Sequence, residues 1–464
     1  MRKKIKWLIL SGIILIAGAL LIAAVSITLS REGDDIFPDG IVRSEALTMF
    51  IVLVISIPVL LIALLLALVF TKDKPSKVVA TINGINGQVN VGNAKPAETH
   101  EEENDDSRFC MLGEIEAKRE GYGHDDYNNS ITLEQLCNDF RNYAASKLKL
   151  YYDIDDIRRF IAGMGVSHIL ILQGMSGTGK TSLAHAFGSY VDNQSTIIPV
   201  QPMWKERTDL IGYYNEFTRK FNETLLLEKM YEANYSEDMY VTVLDEMNIA
   251  RIEYYFAEFL SLLELPNPDE RYIEVVSDKW ANDPSQLKDG KIKLPPNMWF
   301  IGTANNDDST FAISDKVYDR AMILNLDNKS ERYIAPETEK LHISCEKFNS
   351  LVEEAIEEYG VSRRNMKRLE ALDKYLIEHF HITFGNRIMK QIKTYIPVYV
   401  SCGGDELIAL DDILSKKVIR KLETQNPIYL RNAAEGLVEY INELFGNDKM
   451  TLCKEYIHRL ERNA

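Results

Sequence analysis

Two long apolar runs near the amino terminus dominate the hydrophobic pattern of the chain. They cover residues 7–29 and 49–70, and neither run carries a polar stripe. Because an α-helix rises about 1.5 Å per residue, each run is long enough to cross a hydrocarbon core of about 30 Å. Pro58 in the second run agrees with this interpretation, since transmembrane helices tolerate proline. The pattern predicts a two-helix transmembrane anchor over residues 1–71.

The charges beside these runs predict an orientation in the membrane. Basic residues stand at both outer ends of the pair: Arg2, Lys3, Lys4, Lys6, Lys72, Lys74 and Lys77. The loop between the runs carries Arg31 and Arg43 beside five acidic residues. By the positive-inside rule, the amino terminus and everything after the second run lie in the cytosol. The sequence therefore predicts a multi-pass membrane protein with a large cytosolic part.

After the second run the pattern becomes that of a soluble protein. Residues 72–108 are predicted to be a cytosolic acidic linker, in which residues 78–93 form either a short hairpin or a flexible tether. Over residues 109–327, short apolar runs alternate with helical segments. The first helical segment is predicted at residues 133–160. This alternation favours an α/β fold with a doubly wound parallel sheet. Helical periodicity then predicts a helical lid and a C-terminal helical region over residues 328–464.

A glycine-rich segment lies between a predicted strand and a predicted helix. Its sequence, GMSGTGKT at residues 174–181, fits the phosphate-binding pattern G-x-x-x-x-G-K-[ST]. Its glycines allow backbone N–H groups to turn toward phosphates. Lys180 would reach the β- and γ-phosphates, and the Thr181 hydroxyl would bind Mg²⁺. The predicted nucleotide-binding residues are Gly174, Gly177, Thr178, Gly179, Lys180, Thr181 and Ser182.

Two later strands end in polar residues suited to nucleotide hydrolysis. The strand at residues 240–244 leads into Asp245 and Glu246, at the carboxyl end where ligands bind in open α/β sheets. Asp245 is predicted to hold Mg²⁺ together with Thr181, and Glu246 is predicted to polarise the attacking water. The strand at residues 298–303 runs into Asn305, whose amide would position that water.

These motifs, in this order, resemble the AAA+ superfamily, and within it the branch that contains the McrB restriction GTPases, the MoxR-type ATPases and the dynein motor units. The resemblance covers roughly residues 154–400. It implies a P-loop NTPase fold in which the glycine-rich segment is Walker A, the acidic pair is Walker B and Asn305 is sensor 1. The segment DLIGYY, from Asp209, is similar to the D-[LI]-x-G element that precedes the helix 2 insert of this branch. Residues 271–294 are similar to the hairpin that this branch carries before sensor 1.

The resemblance also implies two catalytic arginines. Arg320 lies where such proteins carry an arginine finger, which acts on the γ-phosphate bound by a neighbouring subunit, and Lys316 is a rival for this role. Arg387 lies where the helical lid offers a sensor 2 arginine. An arginine that acts on a neighbour requires an oligomer, and the resemblance implies a homo-oligomeric ring, by analogy a hexamer.

One departure from the McrB pattern bears on the nucleotide. McrB proteins carry M-N-x-x-D after the sensor strand, in association with GTP use, whereas residues 304–308 read ANNDD. The methionine is lost, and Asn305 and Asp308 are kept. The predicted cofactors are therefore ATP, in preference to GTP, and Mg²⁺. McrB proteins also place a DNA-reading domain before the ATPase, where this chain has its predicted anchor.

Charge and cysteine usage narrow the classes of partner and site. The formal net charge is −16, which does not support direct nucleic-acid binding, although a local basic groove stays possible. The five cysteines form no C-x-x-C pair and fit free thiols in a reducing compartment. His342 and Cys345 form an H-x-x-C without a second pair, so no zinc site is predicted. His379 and His381 are predicted to be packing or surface histidines.

These features together predict a membrane-anchored ATPase that hydrolyses ATP with Mg²⁺ between the subunits of a ring and remodels or moves a protein or nucleic-acid client. Two alternatives stay open. One is a nucleotide-gated scaffold or signalling switch, and the other is a McrB-like, GTP-driven restriction motor with a nuclease partner. Because both Glu246 and Asn305 are present, hydrolysis is favoured over a switch that binds nucleotide without turnover.

Overall fold

The computed structural model describes residues 107–124, 126–305, 310–327 and 330–463. The predicted membrane spans at residues 7–29 and 49–70 lie outside this part of the chain, as does nearly all of the predicted linker, and they stay predictions. Within the described residues, no helix combines the length and the apolar character needed to cross a membrane.

The strands belong to one parallel sheet and two antiparallel hairpins. In the described residues they are β1 (Ile169–Gly174), β2 (Thr196–Pro199), β3 (Gly212–Asn215), β4 (Lys220–Glu223), β5 (Tyr240–Asp245), β6 (Tyr272–Glu274), β7 (Lys291–Lys293), β8 (Met298–Asn305) and β9 (Met322–Asn325). The parallel sheet has the order β2–β5–β8–β1–β9, and the hairpins pair β3 with β4 and β6 with β7. The predicted α/β fold with a parallel sheet is confirmed. The first hairpin begins within the segment from Asp209 that resembles the element preceding the helix 2 insert, and the second lies within residues 271–294, which resemble the hairpin before sensor 1.

Both faces of the parallel sheet are buried. On β1, Leu170 and Leu172 belong to one hydrophobic cluster, and Ile169 and Ile171 belong to another. Successive side chains of a strand point to opposite faces, so each cluster covers one face. Strands buried on both faces read as continuous apolar runs, which is why the sequence pattern revealed them.

Helices make up most of the rest of the described chain. They are α1 (Met111–Ala117), α2 (Leu133–Leu148), α3 (Ile154–Val166), α4 (Lys180–Tyr190), α5 (Thr208–Ile211), α6 (Leu225–Ala233), α7 (Ile252–Tyr255), α8 (Ala257–Leu262), α9 (Asp315–Arg320), α10 (Cys345–Glu358), α11 (Arg363–Phe380), α12 (Gly385–Ser401), α13 (Glu406–Lys417), α14 (Pro427–Phe445) and α15 (Thr451–Asn463).

The predicted helical stretch at residues 133–160 is two helices. Lys149 has a left-handed φ of 60° and ends α2, and the Asp153 side chain accepts a hydrogen bond from Asp155 N and caps α3. The first hydrophobic cluster runs through α2, α3 and the C-terminal helices, with Leu326 before residue 328 and Phe348 after it. The domain division at residue 328 stays a prediction, and the hydrophobic core is continuous across it.

A buried lysine joins the C-terminal helices to the segment before β9. Lys417 ends α13, and 2% of its surface is exposed. Its Nζ donates to the carbonyl oxygen of Tyr318 at 2.6 Å and also to that of Ala321. Burial lowers the pKa of the Lys417 ammonium to about 7, since the charged form loses its hydration. The amine therefore links α13 to the backbone on both sides of Arg320.

We expect Lys417 to make folding stability depend on pH. Between pH values of about 7 and about 10 the unfolded chain keeps the Lys417 proton while the folded chain releases it. More protons bound to the unfolded state means that the free energy of unfolding rises with pH across this window. The substitution Lys417→Met removes this contribution and leaves a cost that does not depend on pH, from two unpaired carbonyl groups.

Urea unfolding of the full-length wild-type and Lys417→Met proteins at several pH values measures the effect. The free energy of unfolding of the wild type, minus that of the variant, should increase as pH rises from about 7 to about 10. The exposed Lys393 on α12 offers a control, since Lys393→Met should give a constant difference from the wild type. A constant difference for Lys417→Met would contradict the interpretation.

Candidate active site

The glycine-rich segment joins the carboxyl end of β1 to the first turn of α4. Gly179 is the N-cap of α4 and has a left-handed φ of 92°. Gly174 lies so close to the chain after β9 that a Cβ atom there would be 2.4 Å from the Leu326 carbonyl oxygen. Both positions therefore require glycine. The loop ends at a helix N-terminus, whose unpaired N–H groups form an anion-binding site.

The other predicted loop residues lie around this turn. Gly177 has a φ of 80°, and a Cβ built on it would meet no atom within 4 Å, so the turn is open there. Thr178 Oγ1 donates to the Met175 carbonyl oxygen at 3.1 Å. Ser182 lies in the first turn of α4. Lys180 is 6% exposed, and its Nζ donates to the carbonyl oxygens of the first two loop residues, at 3.0 and 2.7 Å.

Hydrogen bonds join the loop to the neighbouring strands through Asp245, the last residue of β5. Its Oδ1 accepts a hydrogen bond from Thr181 Oγ1 at 2.7 Å and another from Thr303 Oγ1 at 2.9 Å. The Glu246 backbone N–H donates to Thr303 Oγ1 at 2.9 Å. One hydroxyl on β8 thus positions both acidic residues, and residues from α4, β5 and β8 converge at the carboxyl edge of the sheet.

This set of side chains fits a magnesium nucleotide. A carboxylate and a hydroxyl in contact are oxygen ligands of the kind that Mg²⁺ prefers. Thr181 and Asp245 supply them, beside a buried ammonium group and a helix N-terminus that favour phosphate. The residues that would hold the phosphates and the metal are therefore adjacent in the folded chain.

The two residues predicted to act on water lie at the ends of adjacent strands. Glu246 is exposed directly after β5 and has a left-handed φ of 53°, an uncommon conformation for a residue with a side chain. Asn305 ends β8, is half-buried, and pairs in the parallel register with Gly174. The structure thus brings Asn305 beside the start of the phosphate-binding loop.

Thr303 and Asn248 have positioning roles that sequence reasoning missed. Asn248 is 5% exposed, and its Nδ2 donates to the carbonyl oxygens of Asn305 at 3.0 Å and of Phe311 at 3.3 Å. It therefore ties the turn after Glu246 to the chain on both sides of residues 306–309, which lie outside the described residues. The available signals were a hydroxyl within an otherwise apolar strand and an amide two residues after the acidic pair.

Arg320 and Arg387 lie at the opposite edge of the sheet. Arg320 ends α9 and precedes β9, whose Met322 pairs with Leu170 near the amino end of β1. At about 3.3 Å per residue, this level is roughly 13 Å from Gly174 along the strand. The structure does not bring these two arginines to the phosphate-binding loop of their own chain.

Both arginines contact one carboxylate. Arg320 Nε is 2.9 Å from Glu264 Oε2, and an Arg387 Nη atom is 2.5 Å from Glu264 Oε1. The three side chains line an open pocket of about 690 Å³, together with Arg271 and Lys390. Four cationic side chains against one carboxylate give this pocket an excess of positive charge. The rival Lys316 is exposed on the same helix as Arg320.

Residues 169–321 match the family model described as AAA domain (dynein-related subfamily). This segment is an AAA domain. The match begins at β1, includes the phosphate-binding loop, the acidic pair and Asn305, and ends one residue after Arg320. An AAA domain is a P-loop nucleoside triphosphatase module that binds its nucleotide with Mg²⁺. The McrB branch within this class stays a prediction.

Two further comparisons complete the picture of relatives. No curated protein sequence matches the chain. Among solved structures, a full-length MCM homolog from Methanopyrus kandleri is similar, with 9% sequence identity and a TM-score of 0.34. The similarity covers 69% of this chain and 63% of that chain, so this chain spans less than two thirds of that structure's length.

Replacement of Thr303 tests the positioning of the acidic pair. The substitution Thr303→Val keeps the shape of the side chain but removes the hydroxyl that contacts Asp245 and the Glu246 N–H. We expect kcat for nucleotide hydrolysis to fall about tenfold, because a lost hydrogen bond costs about 1–2 kcal/mol of positioning energy. Nucleotide affinity should change less, since Thr303 does not contact the loop.

Steady-state turnover and equilibrium nucleotide binding, measured on the same preparations, separate these two effects. Thr303→Ser restores the hydroxyl and should recover most of the turnover. If Thr303→Val lost affinity as strongly as turnover, or if neither changed, Thr303 would not have the proposed role.

Proposed function

We propose that the chain is an ATPase that forms a homo-oligomeric ring, by the family resemblance a hexamer, in which neighbouring subunits share each active site. The supporting observation is the separation of the predicted catalytic residues between opposite edges of one sheet. Lys180, Asp245 and Glu246 lie at the carboxyl edge, whereas Arg320 and Arg387 lie at the amino edge. A single subunit therefore lacks the arginines at its own nucleotide.

The amino edge is suited to meet an anion that belongs to another subunit. In the single chain, Glu264 forms ion pairs with both Arg320 and Arg387. Arg271 and Lys390 add further positive charge to the pocket. Its volume of about 690 Å³ lies within the range of small-molecule sites. The triphosphate of a neighbouring subunit would replace Glu264 as the partner of the guanidinium groups, where they stabilise charge in the transition state.

The carboxyl edge would bind the nucleotide and activate water. Lys180 would exchange its two loop carbonyls for the β- and γ-phosphates. Thr181 and Asp245 would hold Mg²⁺, which neutralises phosphate charge when bound. Glu246 is exposed at the strand end, where its carboxylate would accept a proton from the attacking water, and Asn305 would orient that water.

ATP is the proposed nucleotide, since residues 304–308 lack the methionine of the GTP-using pattern. Hydrolysis in a ring would shift the C-terminal helices against the AAA domain and so move a protein or nucleic-acid client. The net charge of −16 does not favour direct contact with nucleic acid. The predicted anchor would hold the ring at the cytosolic face of a membrane.

Mixing two inactive variants tests whether active sites are shared. Lys180→Ala removes the phosphate-binding lysine and keeps both arginines. The double variant Arg320→Ala/Arg387→Ala removes both arginines and keeps the phosphate-binding lysine. Each variant alone should lose at least about 100-fold in ATP turnover. In an equal mixture, about a quarter of the interfaces combine an intact loop with intact arginines, so turnover should recover toward about a quarter of the wild-type rate.

Two further variants complete this experiment. Lys393→Ala changes an exposed residue on the same helix as Arg387 and should leave turnover unchanged, whereas Lys316→Ala tests the rival of Arg320. Failure of the mixture to exceed its two components would rule out shared sites. The readout is ATP turnover of full-length protein, mixed before assembly and compared at equal total concentration.

Glu246→Gln separates the proposed motor from its alternatives. We expect this variant to bind ATP but to turn it over at least about 100-fold more slowly than the wild type. Equal and slow turnover by both proteins would favour a nucleotide-gated scaffold instead. Strict use of GTP, with stimulation by a nuclease partner, would favour a McrB-like restriction motor.

A further inference from the structure

Two histidines and a carboxylate from three separate segments meet at the amino edge of the sheet. His124 precedes α2, Asp192 follows α4, and His342 precedes α10. The Nε2 atoms of both histidines face the same oxygen, Asp192 Oδ2, at 3.7 Å from His124 and 3.1 Å from His342. The two imidazole rings are stacked, with centroids 4.0 Å apart and planes inclined by 25°.

Each histidine is oriented by a second carboxylate on its other ring nitrogen. His124 Nδ1 is 3.0 Å from Asp238 Oδ1, which also accepts a hydrogen bond from Tyr127 OH at 2.8 Å. His342 Nδ1 is 2.7 Å from Asp126 Oδ1. In metal sites, a ligating histidine almost always donates its second N–H to a carboxylate, a carbonyl or water, which fixes the ring and raises its basicity as a ligand.

We propose that His124, Asp192 and His342 bind a divalent transition-metal ion, with zinc as the best fit, through Nε2, Oδ2 and Nε2. Tetrahedral zinc ligands at about 2.0–2.1 Å from the ion lie about 3.3 Å from one another. The two observed distances to Asp192 Oδ2 lie on either side of this value. One ligand atom from each of the three residues lies within 4.8 Å of the other two.

The chemistry of the ligands favours zinc over magnesium. Imidazole suits zinc and its neighbours in the first transition series, whereas Mg²⁺ selects oxygen. Lys340 Nζ contacts the other carboxylate oxygen of Asp192, Oδ1. This ion pair orients the carboxylate so that Oδ2 faces the two imidazole rings. Three protein ligands leave one tetrahedral position for water.

The sequence predicted no zinc site at His342, because the H-x-x-C that it forms with Cys345 has no second pair at ligand spacing. Cys345 follows it by three residues, but its Sγ faces the Pro296 carbonyl oxygen at 3.7 Å. The H-x-x-C pair is therefore not the ligand set. His342 finds its partner in Asp192, 150 residues away, which no local spacing could reveal.

A metal ion bound here would cross-link three segments of the chain at a site distant from the nucleotide. Asp192 follows the carboxyl end of α4, and the phosphate-binding loop is at the other end of this helix. The ion would connect the segment before α2 and the segment before α10 to the helix that carries Lys180 and Thr181. Because metal affinity adds to folding free energy where the unfolded chain has no site, zinc should raise the unfolding temperature.

The experiment uses full-length protein that has been stripped with EDTA and titrated with Zn²⁺ in the absence of nucleotide. We expect saturable binding of one zinc ion per chain and an increase in Tm. Replacement of Zn²⁺ by Co²⁺ should give the visible absorption bands of a tetrahedral cobalt site. The double variant His124→Gln/His342→Gln should lose this absorption and the increase in Tm.

Two further variants keep the proposal falsifiable if the double variant fails to fold. Asp126 is 80% exposed and contacts His342 Nδ1, so Asp126→Asn should leave the fold intact and weaken zinc binding about tenfold. His379→Gln changes an exposed histidine on α11 and should bind zinc as the wild type does. No saturable zinc binding, or equal affinity in the wild type and Asp126→Asn, would overturn the proposal. Neither result depends on whether the chain hydrolyses ATP.

Discussion

The parallel register of β5, β8 and β1 is the constraint on which the candidate active site depends. It aligns the carboxyl ends of three buried strands, so that Asp245 contacts Thr303 of the neighbouring strand and Asn305 pairs with Gly174. A slip by one residue would turn every buried side chain to the opposite face of the sheet. Because the side chains on both faces pack closely into hydrophobic clusters, such a slip would disrupt the packing of both, so the core enforces the register that positions the polar residues.

Packing beneath the strand ends supports the same arrangement. Met247 is fully buried directly after Glu246, and a Cβ atom on Gly302 would lie 1.8 Å from its sulfur. The absence of a side chain on β8 therefore makes room for the turn after β5. Together with the hydrogen bond from the Glu246 N–H to Thr303, this contact holds Glu246 in its left-handed conformation, exposed at the site.

The two edges of the sheet carry different kinds of chemistry. At the carboxyl edge, a helix N-terminus, an ammonium group and carboxylates are arranged around the phosphate-binding loop. At the amino edge, Glu264 balances Arg320 and Arg387 within one positively charged pocket, and a group of histidines and carboxylates lies near the far end of α4. In the proposed ring, the triphosphate of a neighbouring subunit would compete with the Glu264 carboxylate for the two arginines.

Local pattern determined the α/β class and located the glycine-rich loop between a strand and a helix, because each depends on residues close together in the chain. The order of the later strands after this loop then predicted the roles of the acidic pair and Asn305. Strand burial and loop chemistry leave periodic and glycine-rich signals over a few residues. Only the tertiary structure decided that Thr303 supports Asp245, that Glu264 joins the two arginines, and that Asp192 faces two histidines. These contacts join segments far apart in the chain, and their geometry follows from how the sheet and helices pack, which no spacing along the sequence encodes.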